Sequence, residues 1–252
     1  MLQRLLALSV VATIAATALL PGSSFWVRPE VKPFPLRASK IPLDDSGLPL
    51  LGTSGSLVAT ARQPEAIVYT EPSRTSTVAT TLDNPTQTDG PLVFQVVKHQ
   101  PGWLQIKLPV RPNGSTGWIP QSQVELRVNR FKVLIDTSEH QLQVLYQDEI
   151  RLTTEVAIGD GATPTPIGSF YLTELLQPED PTGIYGPFAF GLSGFSETLR
   201  SFNGGDGVIG LHGTDDPTSL GSDVSHGCVR IHNDTITELA SFLPLGTPVE
   251  IT

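Results

Sequence analysis

The clearest pattern along the chain is short runs of alternating apolar and polar positions. Between about residues 65 and 126 these are Ala66-Ile67-Val68-Tyr69, Leu92-Val93-Phe94-Gln95-Val96-Val97 and Trp103-Leu104-Gln105-Ile106. Period two with aromatic and β-branched residues predicts strands. Glu71-Pro72-Ser73, Asp89-Gly90-Pro91, Gln100-Pro101-Gly102 and Pro112-Asn113-Gly114 punctuate them as turns.

A second series begins near Asn129. Phe131, Val133 and Ile135 alternate, and so do Leu142, Val144 and Tyr146 after the turn at residues 136–140. This predicts a β-hairpin with one buried face and His140 in solvent at its turn. Residues 151–158 read as a third strand, and Phe170-Tyr171-Leu172 as a fourth. Between them, Pro164, Pro166 and several glycines predict a rigid loop. Residues 208–211 form a short strand of buried type leading to His212. Thr235 and Glu238 have capping-box spacing, and Ile236, Leu239, Ala240 and Leu243 fall on one helical face. Pro244 and Gly246 end that helix, and residues 249–251 form a last strand. Residues 174–207 show no period but hold Tyr185, Phe188, Phe190, Phe195 and Phe202. So aromatic a stretch predicts an ordered flap over a groove, with Tyr185 among the side chains that meet a ligand.

The N-terminus follows another rule. A short positive region over Met1–Arg4, charged at Arg4, precedes an apolar run over residues 5–20, which Pro21-Gly22 breaks. That order predicts a signal peptide or membrane anchor over residues 1–22, and hence export to a periplasmic, cell-wall or extracellular site. Residues 23–63, rich in Pro and Gly, read as a linker. A small β-domain over 64–127 and a second domain over 129–252 follow. The fold class is mainly β with one clear helix. A formal net charge of −9 argues against nucleic acid as a partner.

Only one cysteine exists in 252 residues, so no disulfide can form within the chain. An exported chain with a lone thiol has a use for it or buries it as a small hydrophobe. The neighbours favour use. Cys228 lies in Ser225-His226-Gly227-Cys228-Val229-Arg230-Ile231-His232-Asn233-Asp234, and His212-Gly213-Thr214 lies sixteen positions upstream of it. A thiol becomes a nucleophile when an imidazole draws off its proton. His226 and His212 can each do so. Residues two apart on one strand point in parallel, so a histidine from another strand faces the sulfur more directly, which favours His212. Carbonyls of Gly213 and Thr214 are at hand to hold its second nitrogen. The amides of Gly227 and Cys228 are candidates for an oxyanion site. Arg230 is a candidate to grip a substrate carboxylate, or to pair with Asp234 or Glu238. Four potential zinc ligands, His212, His226, Cys228 and His232, have no spacing of a closed structural site, so no metal is expected.

These residues resemble the signature of YkuD-type L,D-transpeptidases: His212-Gly213-Thr214, then Ser225 to Arg230 with Asn233 and Asp234, and upstream Thr165-Pro166-Ile167-Gly168-Ser169-Phe170. Gly102-Trp103-Leu104-Gln105-Ile106 and Gly117-Trp118-Ile119 resemble bacterial SH3-like domains, small barrels often joined to cell-wall enzymes. The resemblance implies a β-sandwich-like catalytic domain over 129–252 that acts on peptidoglycan stem peptides without a cofactor. It implies Cys228 as nucleophile, His212 as base, Gly213 or Thr214 as its orienting group, Gly227 and Cys228 as oxyanion donors, and His226 close by. Ser225, Asn233 and Arg230 are expected on the substrate side. It also implies acylation by carbapenems. A carboxypeptidase that trims stems with water, and a catalytically dead wall-binding protein, are the alternatives.

Overall fold

The computed structural model describes residues 26–27, 55–201 and 205–252. The expected signal or anchor, and most of the expected linker, lie outside these residues. A two-residue strand, β1 (Trp26–Val27), comes first in the chain. The first sheet then comprises β2 (Ser56–Ala61), β3 (Glu65–Tyr69), β4 (Val78–Asp83), β5 (Val93–Gln100), β6 (Trp103–Lys107), β7 (Thr116–Pro120) and β8 (Val124–Asn129). Its order is β4-β3-β7-β6-β5-β2-β8. Ala66 and Val68 near one edge share one apolar cluster with Val124 at the other edge. One sheet can bring both edges to one core only by curling.

β2 corrects the linker boundary. Residues 56–61, expected within the linker, form a strand whose Leu57, Val58 and Ala59 are buried. The Gly and Pro content just before them hid the strand from a compositional reading. Trp103 and Trp118 are half-buried, and Trp103 meets Tyr69 edge-on at 5.6 Å between ring centres. They are packing residues of the curled sheet.

The second sheet contains β9 (Phe131–Asp136), β10 (Gln141–Tyr146), β11 (Glu149–Glu155), β13 (Gly168–Pro178), β14 (Ala189–Phe195), β15 (Val208–His212), β17 (Val229–Arg230) and β18 (Pro248–Ile251). Its order is β11-β10-β9-β18-β13-β14-β15-β17, with β1 added against β13. Two short strands, β12 (Ile158–Gly159) and β16 (Asp223–Ser225), pair separately in parallel. The hairpin β9–β10 has the alternation expected of it, with Phe131, Val133, Ile135, Leu142, Val144 and Tyr146 all buried. The expected strand 151–158 is instead two elements, because Val156 and Ala157 leave β11 to bond His140 and Arg230. His140 is not simply solvated: its Nε2 lies 2.7 Å from Oδ1 of Asp223, joining the hairpin turn to β16.

The expected flap requires a larger correction. Most of residues 174–195 is sheet: β13 runs to Pro178, and β14 is buried along all seven of its residues. A central strand covered on both sides has no alternation to read. Phe190 is core, and only residues 179–188 remain a loop beside the site.

The helix α1 (Asn233–Phe242) puts Ile236, Leu239 and Ala240 into the core. Full burial of an Ile or Leu side chain contributes about 1.5–3 kcal/mol. The capping box does not form: His232 is the N-cap, no side chain caps the first turn, and the Asn233 side chain reaches elsewhere.

The two sheets contact each other through packed and polar groups. Val58 and Val93 meet the fully buried Tyr171. Asn129 donates to Thr247 at 2.8 Å, and Thr88 to Glu174 at 2.6 Å. Lys107 donates to Ser169, which donates onward to Glu250. Arg111 donates to the carbonyls of Ser196, Leu199 and Asp206, and its guanidinium lies 4.9 Å from the centre of the Phe195 ring. Asn113 exchanges two hydrogen bonds with the Phe195 backbone. The loop before β7 thus holds the segment that leads into β15.

Candidate active site

β15 and β17 lie side by side in parallel, with Leu211 opposite Val229 and His212 opposite Arg230. Strand alternation sorts their residues. Ile209, Leu211, Val229 and Ile231 enter the core, and all are essentially buried. Gly210, His212, Cys228 and Arg230 share the opposite face. An ideal Cβ on Gly210 would lie 3.4 Å from Cδ2 of His212 and 3.7 Å from Sγ of Cys228. The thiol and imidazole therefore flank one small space that only glycine leaves open.

His212 is 3% exposed. Its Nδ1 lies 2.6 Å from the carbonyl oxygen of Gly213, so Nδ1 carries the proton and donates it. That tautomer leaves Nε2 without hydrogen, ready to accept one. The ring of Tyr185 meets the imidazole edge-on, 5.0 Å between centres. Burial is the main cause that drives the His212 pKa down to about 4. The Gly213 bond opposes that shift, Arg230 adds to it, and Asp215 opposes it. Burial also pushes the Cys228 thiol up, while the Gly210 amide, 3.3 Å from the sulfur, and Arg230 pull it down. The resting pair is a neutral thiol beside a neutral imidazole, since neither charge is stabilised enough to form at neutral pH.

The turn that presents the sulfur is braced internally. Gly227 has φ +110, a conformation that suits glycine. Its amide donates to Oγ of Ser225, and its carbonyl accepts from Oγ1 of Thr165 at 3.0 Å. Both polar groups of Gly227 have partners in the resting turn. The Cys228 amide, by contrast, makes no hydrogen bond among the described residues. Ser225 is fully buried and donates to the Cys228 carbonyl at 2.5 Å. It braces the turn and does not face the substrate side, as the sequence had suggested.

Asn233 is likewise turned away from that expectation. Its Oδ1 accepts the Thr214 amide at 2.8 Å. Of the two carbonyls considered for His212, Gly213 takes the bond, and Thr214 contributes its N–H on the other side. His226 is exposed, and its charge influence reaches Asp160. No group of three His, Cys, Asp or Glu side chains among the described residues converges as metal ligands would. Arg230 forms no ion pair with Asp234 or Glu238, and its buried Nε has no hydrogen-bond partner.

Two contributors escaped the sequence reading. Gly210 supplies an amide to the sulfur and the space beside it. Thr165 ties the loop of 160–167 to the thiol turn, taking the Gly159 amide at 2.8 Å and giving its own hydrogen to Gly227. Thr165 lay inside the Thr165–Phe170 run, which was the only available signal for it.

The profile of the L,D-transpeptidase catalytic domain, YkuD, matches residues 130–251. Three Bacillus proteins provisionally named L,D-transpeptidases are similar over the same part. YqjB of Bacillus subtilis is 32% identical over 125 residues, covering 48% of this chain and 70% of its own. YkuD of Bacillus licheniformis is 34% identical over 122 residues, covering 48% of this chain and 66% of its own. YkuD of Bacillus subtilis is 31% identical over 121 residues and is covered to 65%. The chain thus spans just under two thirds of the length of the two YkuD relatives. Among solved structures, Bd1075 of Bdellovibrio bacteriovorus is 29% identical, over 49% of this chain and 48% of its own, with a TM-score of 0.39. The chain belongs to the YkuD-type L,D-transpeptidase family.

Proposed function

We propose that this protein is a peptidoglycan L,D-transpeptidase that works through a Cys228 thioester. The observation that carries the reading is the pairing of the chain's one thiol with an imidazole whose Nδ1 is already committed to Gly213. His212 takes the thiol proton at Nε2 as the sulfur attacks the carbonyl of a donor tetrapeptide stem. The Cys228 amide donates to the oxygen that becomes negative. Collapse breaks the peptide bond, and His212 returns the proton to the departing D-Ala amine. An acceptor amine then attacks the thioester, gives its proton to His212, and leaves with the acyl group as a cross-link. The thiol is regained.

Arg230 holds a substrate carboxylate. A half-buried guanidinium with an unserved Nε and no ion pair supports that role. Tyr185, at the edge of the imidazole, forms part of the wall against which the stem lies. His226 stands at the exposed rim. Carbapenems acylate the same sulfur, since their strained amide is an acyl donor of the same kind. The first sheet, with its half-buried Trp103 and Trp118, serves as an SH3-like domain attached to the catalytic domain. The apolar run over residues 5–20 supports an exported enzyme.

The test is mass spectrometry of cell-wall fragments incubated with the full chain. Dimers joined through the acceptor amine support transpeptidation. Trimmed monomers alone assign a carboxypeptidase instead.

A further inference from the structure

The peptide between Gly213 and Thr214 is held at both ends. Its carbonyl takes the Nδ1–H of His212 at 2.6 Å, and its N–H donates to Oδ1 of Asn233 at 2.8 Å. In a trans peptide these groups point in opposite directions. Asn233, the peptide and His212 therefore lie in one hydrogen-bonded line. Each bond in such a line polarises the next. An oxygen accepting the Thr214 hydrogen shifts electron density toward the Gly213 oxygen, which makes that oxygen a better acceptor for an imidazole that is becoming positive.

Two separate segments make room for the Asn233 oxygen. A Cβ on Gly213 would stand 2.2 Å from it, and a Cβ on Gly186 2.3 Å. Gly186, at φ +63, comes from the 179–188 loop that also brings Tyr185 to His212. Asn233 is the first residue of α1 and its side chain caps nothing. A structural duty at the helix start does not explain it.

We propose that Asn233 is a positioning residue for the His212 base, acting through the Gly213–Thr214 peptide. The inference rests on the reading of Cys228 and His212 as nucleophile and base. No proton reaches Asn233. The thiol proton passes to Nε2 of His212, the Nδ1 proton stays in place, and the new positive charge is met by the polarised Gly213 oxygen. The other groups facing His212 are Cys228 and Arg230 on and beside β17, Asp215 next along the chain, and the Tyr185 ring. Among the described residues, only Gly213 serves Nδ1.

The experiment is the rate of Cys228 alkylation by iodoacetamide against pH, on the full chain, with melting temperatures recorded alongside. Wild type is compared with Asn233→Ala, Asn233→Asp and His212→Ala. Asn233→Ala is expected to slow alkylation at pH 7 about tenfold, as loss of a partner behind a working histidine does, and to move the profile's midpoint downward, because a less stabilised imidazolium gives up its proton more readily. Asn233→Asp accepts the same N–H with a full charge, and is expected to restore the rate with a midpoint above that of wild type, because a negative charge there favours the protonated imidazole. A folded Asn233→Ala whose profile overlays wild type would overturn the proposal. So would an unmoved midpoint in Asn233→Asp, which decides the matter even if the alanine variant fails to fold. An unchanged profile in His212→Ala would overturn the base assignment as well. A changed His212→Ala beside a wild-type-like Asn233→Ala overturns the relay alone.

Discussion

The amide of Gly210 donates to the sulfur of Cys228 across 3.3 Å. The bond joins the two strands that carry the reacting pair, and it stabilises the sulfur as its negative charge develops. Gly210 also keeps the space between sulfur and imidazole free of side chain. A methyl group there would make ordinary contacts at 3.4 and 3.7 Å, so it fits without forcing the strands apart. Gly210→Ala is expected to melt within a few degrees of wild type while its cross-linking rate falls at least about tenfold, because the methyl occupies the approach to the thiol. Turnover and thermal melting measured on the same sample check this.

His212 carries a pH dependence of stability. Its folded pKa, about 4, lies below the ordinary 6.5. The unfolded chain therefore binds a proton more readily between these values, so stability falls as pH drops from about 6.5 towards 4 and is unaffected by this group above that window. The shift corresponds to about 3 kcal/mol at most. Wild type should lose melting temperature more steeply over that window than His212→Ala does. Parallel curves for the two proteins would contradict the assignment.

Ser225 braces the thiol turn from a fully buried position, with one bond to the Gly227 amide and one to the Cys228 carbonyl. Ser225→Ala leaves two buried backbone groups without that partner, at a cost of about 1–3 kcal/mol. It should lower the melting temperature and also slow alkylation of Cys228, since the turn that aims the sulfur is loosened.

Arg111 satisfies three carbonyls in the segment that leads into β15. Arg111→Ala should destabilise the protein by about 1–3 kcal/mol. Amide hydrogen exchange should rise at residues 196–201 and 205–207, far from the mutation in sequence. Exchange confined to the neighbourhood of residue 111 would argue that the two sheets do not support each other there.

Arg230→Gln removes the charge proposed to hold a substrate carboxylate. A charge-assisted bond is worth about 1.5–3 kcal/mol, so KM for a stem peptide should rise roughly ten- to hundredfold, with a smaller change in kcat. Steady-state kinetics on a synthetic tetrapeptide stem checks the split.

How much of this was readable in advance depended on which atoms carried the information. The β9–β10 hairpin and the apolar face of α1 were legible because one side of each is buried and side-chain type reports it. β14 was not, because Ala189–Phe195 is buried on every side and small residues such as Gly191, Ser193 and Gly194 give no alternation. β2 was hidden by the turn-forming residues ahead of it. At the site, Cys228 and His212 announce themselves by their chemistry. The parts played by Ser225, Thr165, Asn233 and Gly210 are different. Each acts on or through backbone amides and carbonyls, and only the fold says which amide faces which side chain. The same holds for Gly227, whose N–H meets Ser225 Oγ, a partner that residue type does not reveal.

The central claim is that Cys228 forms a thioester with a donor stem. The most direct measurement is intact-protein mass spectrometry after brief exposure to a tetrapeptide stem without acceptor, on wild type and Cys228→Ala. The account predicts that wild type gains the mass of the tetrapeptide stem less that of the one free D-Ala released, with the added mass mapping to Cys228. The Cys228→Ala protein should gain nothing. A folded Cys228→Ala variant that still acquires the stem, or still makes cross-links, would contradict it.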